Sequence, residues 1–169
     1  MNAEKFVELS KDIICTADFE GNFTYANPAF LDAIGYTHEE ILSRKFSSFI
    51  HPEDIEGSFS EHENLLAGEE VINFDNRYIH RDGSIKYISW AAFSVQNEKS
   101  IYAIGRDVTD KKLKEAEKKE QEIYFKALIN CSSDFVYLLE PDGTIKISNE
   151  AFANNFGLSA KTIIGKNVY

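Results

Sequence analysis

The sequence predicts an α+β fold, in which a five-stranded antiparallel sheet carries helices on one face and is followed by a linker helix and part of a second copy. Residues 10–45 recur without a gap as residues 132–167. Helix-capping residues separate two early strands from three later ones. The later strands alternate apolar and polar side chains, which is typical of strands with one buried face.

The repeat is carried by residues with special backbone roles. Gly21 and Gly143 both follow an acidic residue at a hairpin-like turn, where a positive φ is needed. Asn27 and Asn149 both stand where a helix N-cap is expected. Because the second copy reaches Tyr169 less than halfway through the unit, we expect a fragment of a longer tandem-domain protein. The predicted parts are a complete domain at 1–110, a helical linker at 111–127 and a truncated domain at 128–169.

The first module opens with a helical lead-in and a hairpin. Phe6 and Leu9 indicate the helix, and residues 12–17 form a strand rich in β-forming residues. Residues 19–22 turn the chain into a second strand at 23–26.

Helices follow the hairpin. Asn27 caps a short helix with Pro28 at its first position, where a missing N–H costs nothing. Thr37 and Glu40 form a capping box for the next helix, and residues 52–67 form a longer one.

The three closing strands are predicted at 72–80, 87–93 and 101–107. Because of this alternation, one face of each strand is more apolar than the other, and we expect the more apolar face to point toward the helices. The predicted inward set in the first two strands is Ile72, Phe74, Asn76, Tyr78, Ile88, Trp90 and Ala92. In the last strand it is Ala103 and Gly105, opposite Tyr102 and Ile104.

Charge and composition exclude several functions. Eighteen basic against 28 acidic residues give a net charge of −10, which disfavours nucleic-acid binding because phosphate affinity needs a basic field. No apolar run approaches the roughly 18–20 residues that span a bilayer, and residues 1–4 do not begin a signal peptide. Cys15 and Cys131 occupy non-equivalent repeat positions, so we expect reduced cysteines and a cytoplasmic location.

Short motifs between residues 6 and 110 occur in a characteristic order. They are Asp18-Phe19-Glu20-Gly21, Asn27-Pro28-Ala29-Phe30, Gly35-Tyr36-Thr37, His51-Pro52-Glu53-Asp54, Arg81-Asp82-Gly83-Ser84 and Gly105-Arg106-Asp107-Val108-Thr109. In this order they resemble PAS domains, sensory modules built on a five-stranded antiparallel sheet with helices across one face. The resemblance restarts at about residue 128.

The resemblance assigns a role to Asp107, Val108 and Thr109. They are similar to the Asp-Ile-Thr signature by which PAS domains pass a signal to a C-terminal helix, with Val108 in place of Ile. We expect Asp107 to accept charge-assisted hydrogen bonds and Thr109 to cap a helix that begins near Asp110.

Residues 111–122 alternate Lys and Glu, so a charged helix follows. It is either a solvated single helix or half of a parallel two-chain coil. We favour the coil, and with it a homodimer, because tandem PAS proteins use such linkers. Glu120 interrupts its seam. The seam residues are Leu113, Ala116, Ile123 and Ala127.

We expect no cofactor. In flavin-binding light-oxygen-voltage relatives a reactive Cys occupies the position of Phe46, and haem-binding relatives use a His on the long helix. His62 is the only His there, and we predict it to be exposed between Glu61 and Glu63. Cys15 is predicted to be a buried small side chain. The four histidines are scattered, so we predict no metal site.

No catalytic motif is present, and two functions remain open. In one, a small ligand enters between the sheet and the helices, with Asn76 and Tyr78 as its polar contacts. In the other, the interior is filled and the domain is a dimerisation and relay spacer. The candidate pocket residues are Phe74, Asn76, Tyr78, Ile88, Trp90, Ala92 and Ala103. A histidine kinase of a two-component system is the expected output domain, with a diguanylate cyclase as the alternative.

The second copy is predicted to lack a partner layer. We expect its apolar residues, among them Phe135, Phe152 and Phe156, to be buried against another surface. That surface is either the same segment of a second chain, which we favour, or the outer sheet face of the first domain around Tyr87, Phe93 and Tyr102.

Overall fold

The computed structural model of the protein describes residues 3–169; residues 1 and 2 of the predicted first domain lie outside this range. The chain divides into two compact units, Met1–Leu113 and Lys114–Tyr169, which we call the first and second modules.

The first module contains the predicted sequence of elements, with two 3-10 turns at Phe46–Phe49 and Pro52–Asp54 that the sequence did not indicate. Its helices are α1 (Ala3–Glu8), α2 (Pro28–Ile34), α3 (His38–Leu42) and α4 (Ile55–Leu66). Its strands are β1 (Ile13–Asp18), β2 (Phe23–Ala26), β3 (Val71–Ile79), β4 (Ile85–Val95) and β5 (Ser100–Asp107).

The five strands form one antiparallel sheet in the order β2-β1-β5-β4-β3. The hairpin of early strands joins the closing strands through β1 and β5, which pair along Ile13–Asp18. This sheet and its helices confirm the predicted fold class.

The caps that the sequence predicts are formed. The Asn27 side chain accepts a hydrogen bond from the Phe30 N–H, and Pro28 follows it at the start of α2. Thr37 and Glu40 form both hydrogen bonds of the capping box at α3. Local sequence signals therefore set these helix starts.

The predicted alternation is wrong at the start of β3. A β-bulge lies between Val71 and Phe74, and Asn73 adopts a left-handed φ of 57°. The bulge shifts the side-chain register, so Val71 is buried and Ile72, predicted to face inward, is 68% exposed.

The linker helix α5 spans Thr109–Asn130. It begins before the predicted linker at 111–127 and ends after it. None of its residues is buried. It carries the predicted seam on a surface open to solvent in this single chain.

The second module repeats the first hairpin and short helices. It comprises most of α5, from Lys114 onward, then β6 (Tyr137–Leu139), β7 (Ile145–Ser148), α6 (Glu150–Asn154) and α7 (Ala160–Ile163). β6 and β7 pair antiparallel. Phe152 packs in a small buried cluster with Ile145 and Ile163, so the expectation that it finds no partner in this chain is wrong. Phe135 and Phe156 are exposed.

Candidate functional site

A cavity of about 100 Å³ lies within the first module, between the inner face of the sheet and α4. Six of the seven predicted pocket residues line it: Phe74, Asn76, Tyr78, Trp90, Ala92 and Ala103. The seventh, Ile88, is fully buried in the hydrophobic core and is not part of the cavity wall. The alternation of β3, β4 and β5 therefore brings distant residues together on one surface.

A chain of hydrogen bonds crosses the cavity wall from the sheet to α4. The Trp90 indole Nε1 donates to Asn76 Oδ1 at 3.0 Å, and Asn76 Nδ2 donates to Ser58 Oγ at 3.0 Å. Ser58 Oγ in turn donates to the carbonyl oxygen of Asp54 at 2.8 Å. Because Asn76 is engaged on both sides, it links β3 to β4 and to α4 and is less available to a ligand than predicted.

The Trp90 ring packs against two other aromatic rings beside these hydrogen bonds. It lies edge-on to Phe30 with centroids 6.0 Å apart, and tilted to Tyr78 at 5.7 Å. A Cβ on Gly105, the residue paired with Trp90 across the sheet, would come within 2.8 Å of the indole. Gly105 is thus required by the size of the ring.

His62 of α4 is a cavity residue, so its predicted exposed role is wrong. Its ring stacks on Phe46 at 5.2 Å, and Nε2 is buried without a hydrogen-bond partner. Burial lowers the pKa of His62, with Asp18 and Glu63 opposing the shift. Burial therefore favours the neutral form of the ring.

Burial favours the neutral form of two other side chains on the wall, Cys15 and Tyr78. Burial raises the pKa of the Cys15 thiol to about 12 and also raises the pKa of Tyr78. Cys15 is thus the buried small side chain that the sequence predicted. A thiol with this pKa is a poor nucleophile.

An ion pair fixes the start of α4 to β3. Asp54 accepts from the Arg77 backbone N–H at 2.7 Å and from the Arg77 guanidinium at 2.6 Å, and Glu53 accepts at 2.9 Å. These hydrogen bonds lower the pKa of the Asp54 carboxyl, against the opposing effect of its burial. The helix end near the cavity is therefore anchored to the sheet.

The predicted signal-transfer residues bind β4 to α5. The Val108 N–H donates to the Tyr87 carbonyl at 2.8 Å, and the Tyr87 N–H donates to Thr109 Oγ1 at 2.9 Å. Asp107 Oδ1 accepts from the Thr109 N–H at 2.8 Å. Thr109 is the first residue of α5 and its hydroxyl is used by the sheet, so Asp107 performs the capping that we predicted for Thr109.

Two lysines reinforce this junction. Lys86 of β4 lies 3.4 Å from Asp107, and Lys112 of α5 lies 2.7 Å from Asp75 of β3. The Thr109 hydrogen bonds and Lys86 hold the pKa of Asp107 below its usual range, although burial acts to raise it. We call Tyr87 and residues 107–109 the β4–α5 clamp.

The remaining histidines do not meet in a cluster. His51 accepts from the Glu53 N–H at a helix start, and His38 is exposed. His80 is half-buried against Gly35 and lies 2.9 Å from Asp82. Within residues 3–169 no three His, Cys, Asp or Glu side chains are arranged to hold a metal ion.

The spacing of three residues in α4 indicates that this helix contributes to the cavity wall. Ser58, His62 and Leu65 are spaced by four and three residues, so they share one helix face, and all three line the cavity. By contrast, no pattern indicated that the backbone of Tyr87 would meet Thr109.

Family comparisons agree with this geometry. A family model described as PAS fold matches residues 23–106, and one described as PAS domain matches residues 133–169. The chain belongs to the PAS domain family. Its first module has the PAS fold, and the matched segment of its second module corresponds to the opening hairpin and helices of the first.

Two solved structures illustrate the similarity. A domain of the sensory box sensor histidine kinase/response regulator from Geobacter sulfurreducens is 25% identical with a TM-score of 0.57, covering 62% of this chain and 90% of that one. The PAS domain of an HTR-like protein from Haloarcula marismortui is 28% identical with a TM-score of 0.53, covering 62% of this chain and 88% of that one.

A curated relative is the probable diguanylate cyclase DgcE of Escherichia coli (strain K12). It is 25% identical over 125 residues, which are 72% of this chain but 11% of that protein. The chain thus spans about a tenth of the length of this relative. No described helix of the PAS chain is both long and apolar enough to cross a membrane.

Proposed function

We propose that the first PAS module senses the state of its interior and relays it through α5 to an output domain of the same polypeptide. The observation that carries the proposal is the β4–α5 clamp. Tyr87 of β4 holds Val108 and Thr109 through two hydrogen bonds, and Trp90 of the same strand lines the cavity. A shift of β4 at the cavity therefore moves atoms bonded to the start of α5.

The cavity volume bears on whether the module binds a ligand or is only a packed spacer. Ligand sites of drug size occupy about 300–1,000 Å³. The cavity here is smaller, at about 100 Å³, yet a fully packed core leaves few voids larger than a water molecule. These values support a very small ligand, with the packed relay as the alternative.

We propose that no flavin or haem is bound. Phe46, at the position of the flavin-reactive Cys in relatives, packs on Phe59 and His62 beside the cavity. The volume supports this proposal because both cofactors are several times larger than the cavity. Purified protein should be colourless, and a flavin band or a haem Soret band in its absorption spectrum would contradict the proposal.

We propose a histidine kinase of a two-component system as the output, in a cytoplasmic homodimer. The solved relative from a sensory box sensor histidine kinase supports this choice, and the diguanylate cyclase relative supports the alternative. The homodimer is supported by the α5 seam, where Leu113 and Ile123 are exposed in the single chain. Incubating the full-length protein with ATP should give an acid-labile phosphoprotein, whereas a cyclase would convert GTP to a cyclic dinucleotide.

The relay is tested in the full-length protein by changing the clamp. The double variant Asp107→Ala, Thr109→Ala removes the side-chain acceptors of two hydrogen bonds and should uncouple output from stimulus while the domain stays folded. Thr109→Ser keeps the hydroxyl, and Asp110→Ala changes a neighbouring exposed carboxylate, so both should retain regulation. Normal regulation in the folded double variant would contradict the relay.

The helical phase of α5 gives an independent test that needs no known stimulus. One or two residues inserted near Glu117 rotate the downstream helix by about 100° each, whereas seven restore the phase to within about 20°. Output should change more with the short insertions than with seven.

A further inference from the structure

One polar atom at the cavity is left without a partner. Nε2 of His62 is buried and accepts or donates no hydrogen bond in the described residues. A Cβ placed on Gly21 would lie 3.9 Å from Nε2, so the atom lies where the turn between β1 and β2 approaches α4. A buried polar atom without a partner is destabilising, and a bound molecule can supply the missing partner.

Two buried polar side chains of the wall, Trp90 and Asn76, have partners within the protein. Trp90 donates to Asn76, and Asn76 donates to Ser58. No described group of the protein pairs with Nε2 of His62, so a molecule bound in the cavity can fill this role.

The size of the cavity limits that outside molecule. A cavity of about 150 Å³ holds benzene, which has six carbon atoms. On that scale, the cavity of about 100 Å³ accommodates about four or five non-hydrogen atoms.

The wall also selects the chemistry of the molecule. Much of it is apolar, with side chains such as Leu65, Val71 and Ile101, and none of its lining residues is Lys or Arg. Glu61 lies on the same wall and disfavours an anion. A neutral imidazole presents either a donor or an acceptor at Nε2, and a hydroxyl group matches both forms.

We propose that the cavity binds a small uncharged alcohol of about four or five non-hydrogen atoms, whose hydroxyl group pairs with Nε2 of His62. This inference rests on the proposed sensory function and names the ligand class for its cavity. Binding would fill the space beside Trp90, on the strand that holds the β4–α5 clamp.

The test uses two probes of matched shape, isobutanol and isobutyl chloride, of which only the first carries a hydroxyl. Each is titrated into the ¹⁵N-labelled 169-residue chain while amide chemical shifts are recorded. Isobutanol should shift cavity amides saturably. His62→Phe keeps an aromatic ring against Phe46 but removes both nitrogens, so it should weaken isobutanol at least five-fold and change isobutyl chloride less than two-fold.

Control variants make the result specific. His38→Phe makes the same change at an exposed histidine and should leave both affinities unchanged. Ala103→Val fills the cavity and should abolish binding of both probes. His62→Leu replaces His62→Phe in the comparison if the latter does not fold.

Three results would overturn the inference: no saturable shifts with isobutanol, equal weakening of both probes by the His62 substitution, or isobutanol binding that survives Ala103→Val. None of these would affect the clamp variants. If isobutanol does not bind but the Asp107 and Thr109 substitutions still uncouple output, the ligand class fails and the relay function stands.

Discussion

The two modules form the same hydrogen bonds around one asparagine, but they differ in which of their equivalent apolar residues are buried. Asn27 accepts from the N–H groups of Ile14 and Phe30 and donates to the carbonyls of Asp12 and Val7. Asn149 makes the equivalent four bonds. Its partners are Val136, Phe152, Asp134 and Ile129.

This repeated arrangement gives each asparagine more than a capping role. It ties together the helix before the hairpin, the first strand and the next helix. The helix before the hairpin is α1 in the first module and the end of α5 in the second, since Val7 and Ile129 are equivalent. The linker helix is therefore also the lead-in helix of the second PAS module.

The burial of the repeated apolar residues differs between the modules. Ile34 is fully buried in the first module, whereas its equivalent Phe156 is 57% exposed. Ile13 is 2% exposed, and its equivalent Phe135 is 55% exposed. In the first module β1 pairs with β5, and the described second module has no equivalent of β5. The closing strands thus complete the core, form the cavity and hold α5.

The largest expected effect is at the position where burial differs most. Ile34→Ala should destabilise the first module by about 3–4 kcal/mol, because it leaves a cavity in a packed core. Phe156→Ala should cost less than about 1 kcal/mol in the second module. Denaturant unfolding followed by Trp90, the one tryptophan of the chain, measures the first. Hydrogen exchange at the Ile145 amide measures the stability lost in the second module. Similar losses in the two modules would contradict the comparison.

At the asparagine that both modules share, we expect a loss of stability that is smaller than that of Ile34→Ala and equal in the two modules. Asn27→Ala and Asn149→Ala each leave backbone groups without partners and should each cost about 2–3 kcal/mol in their own module. The same two measurements apply. Loss confined to the first module would show that Asn149 does not play the role of Asn27.

A weaker effect is expected in the pH dependence of the stability of the first module. Arg77 holds the pKa of Asp54 below its unfolded value of about 3.9. The resulting stability is present above about pH 4 and is lost as the pH falls through the lower folded-state pKa. Asp54→Asn should therefore cost about 1 kcal/mol at pH 7 and reduce the acid dependence of Trp90 unfolding. An unchanged pH profile would assign the acid sensitivity to other groups.

Local signals made much of this fold predictable. The caps at Asn27 and Thr37 depend on neighbouring residues, and the sheet faces follow from a period of two, which is why six of the seven predicted pocket residues line one cavity. The bulge at Asn73 was missed because one inserted residue shifts a register without leaving an apolar pattern.

Features that depend on tertiary contacts were not predictable. His62 lies between two glutamates in the sequence, and its burial comes from Phe46, which a 3-10 turn brings beneath α4. Likewise, the Thr109 hydroxyl could cap α5 or bind the sheet, and only the position of Tyr87 decides between them.

The coupling of the cavity to α5 through β4 is tested most directly by hydrogen exchange at the Val108 amide, which donates to Tyr87. Trp90→Phe removes the hydrogen bond to Asn76 inside the cavity and leaves the clamp residues unchanged. Phe93→Leu makes a change of similar size on the exposed face of the same strand. Trp90→Phe should accelerate exchange at Val108 at least three-fold more than Phe93→Leu does. Equal exchange in the two variants, with changes confined to the cavity, would contradict the account.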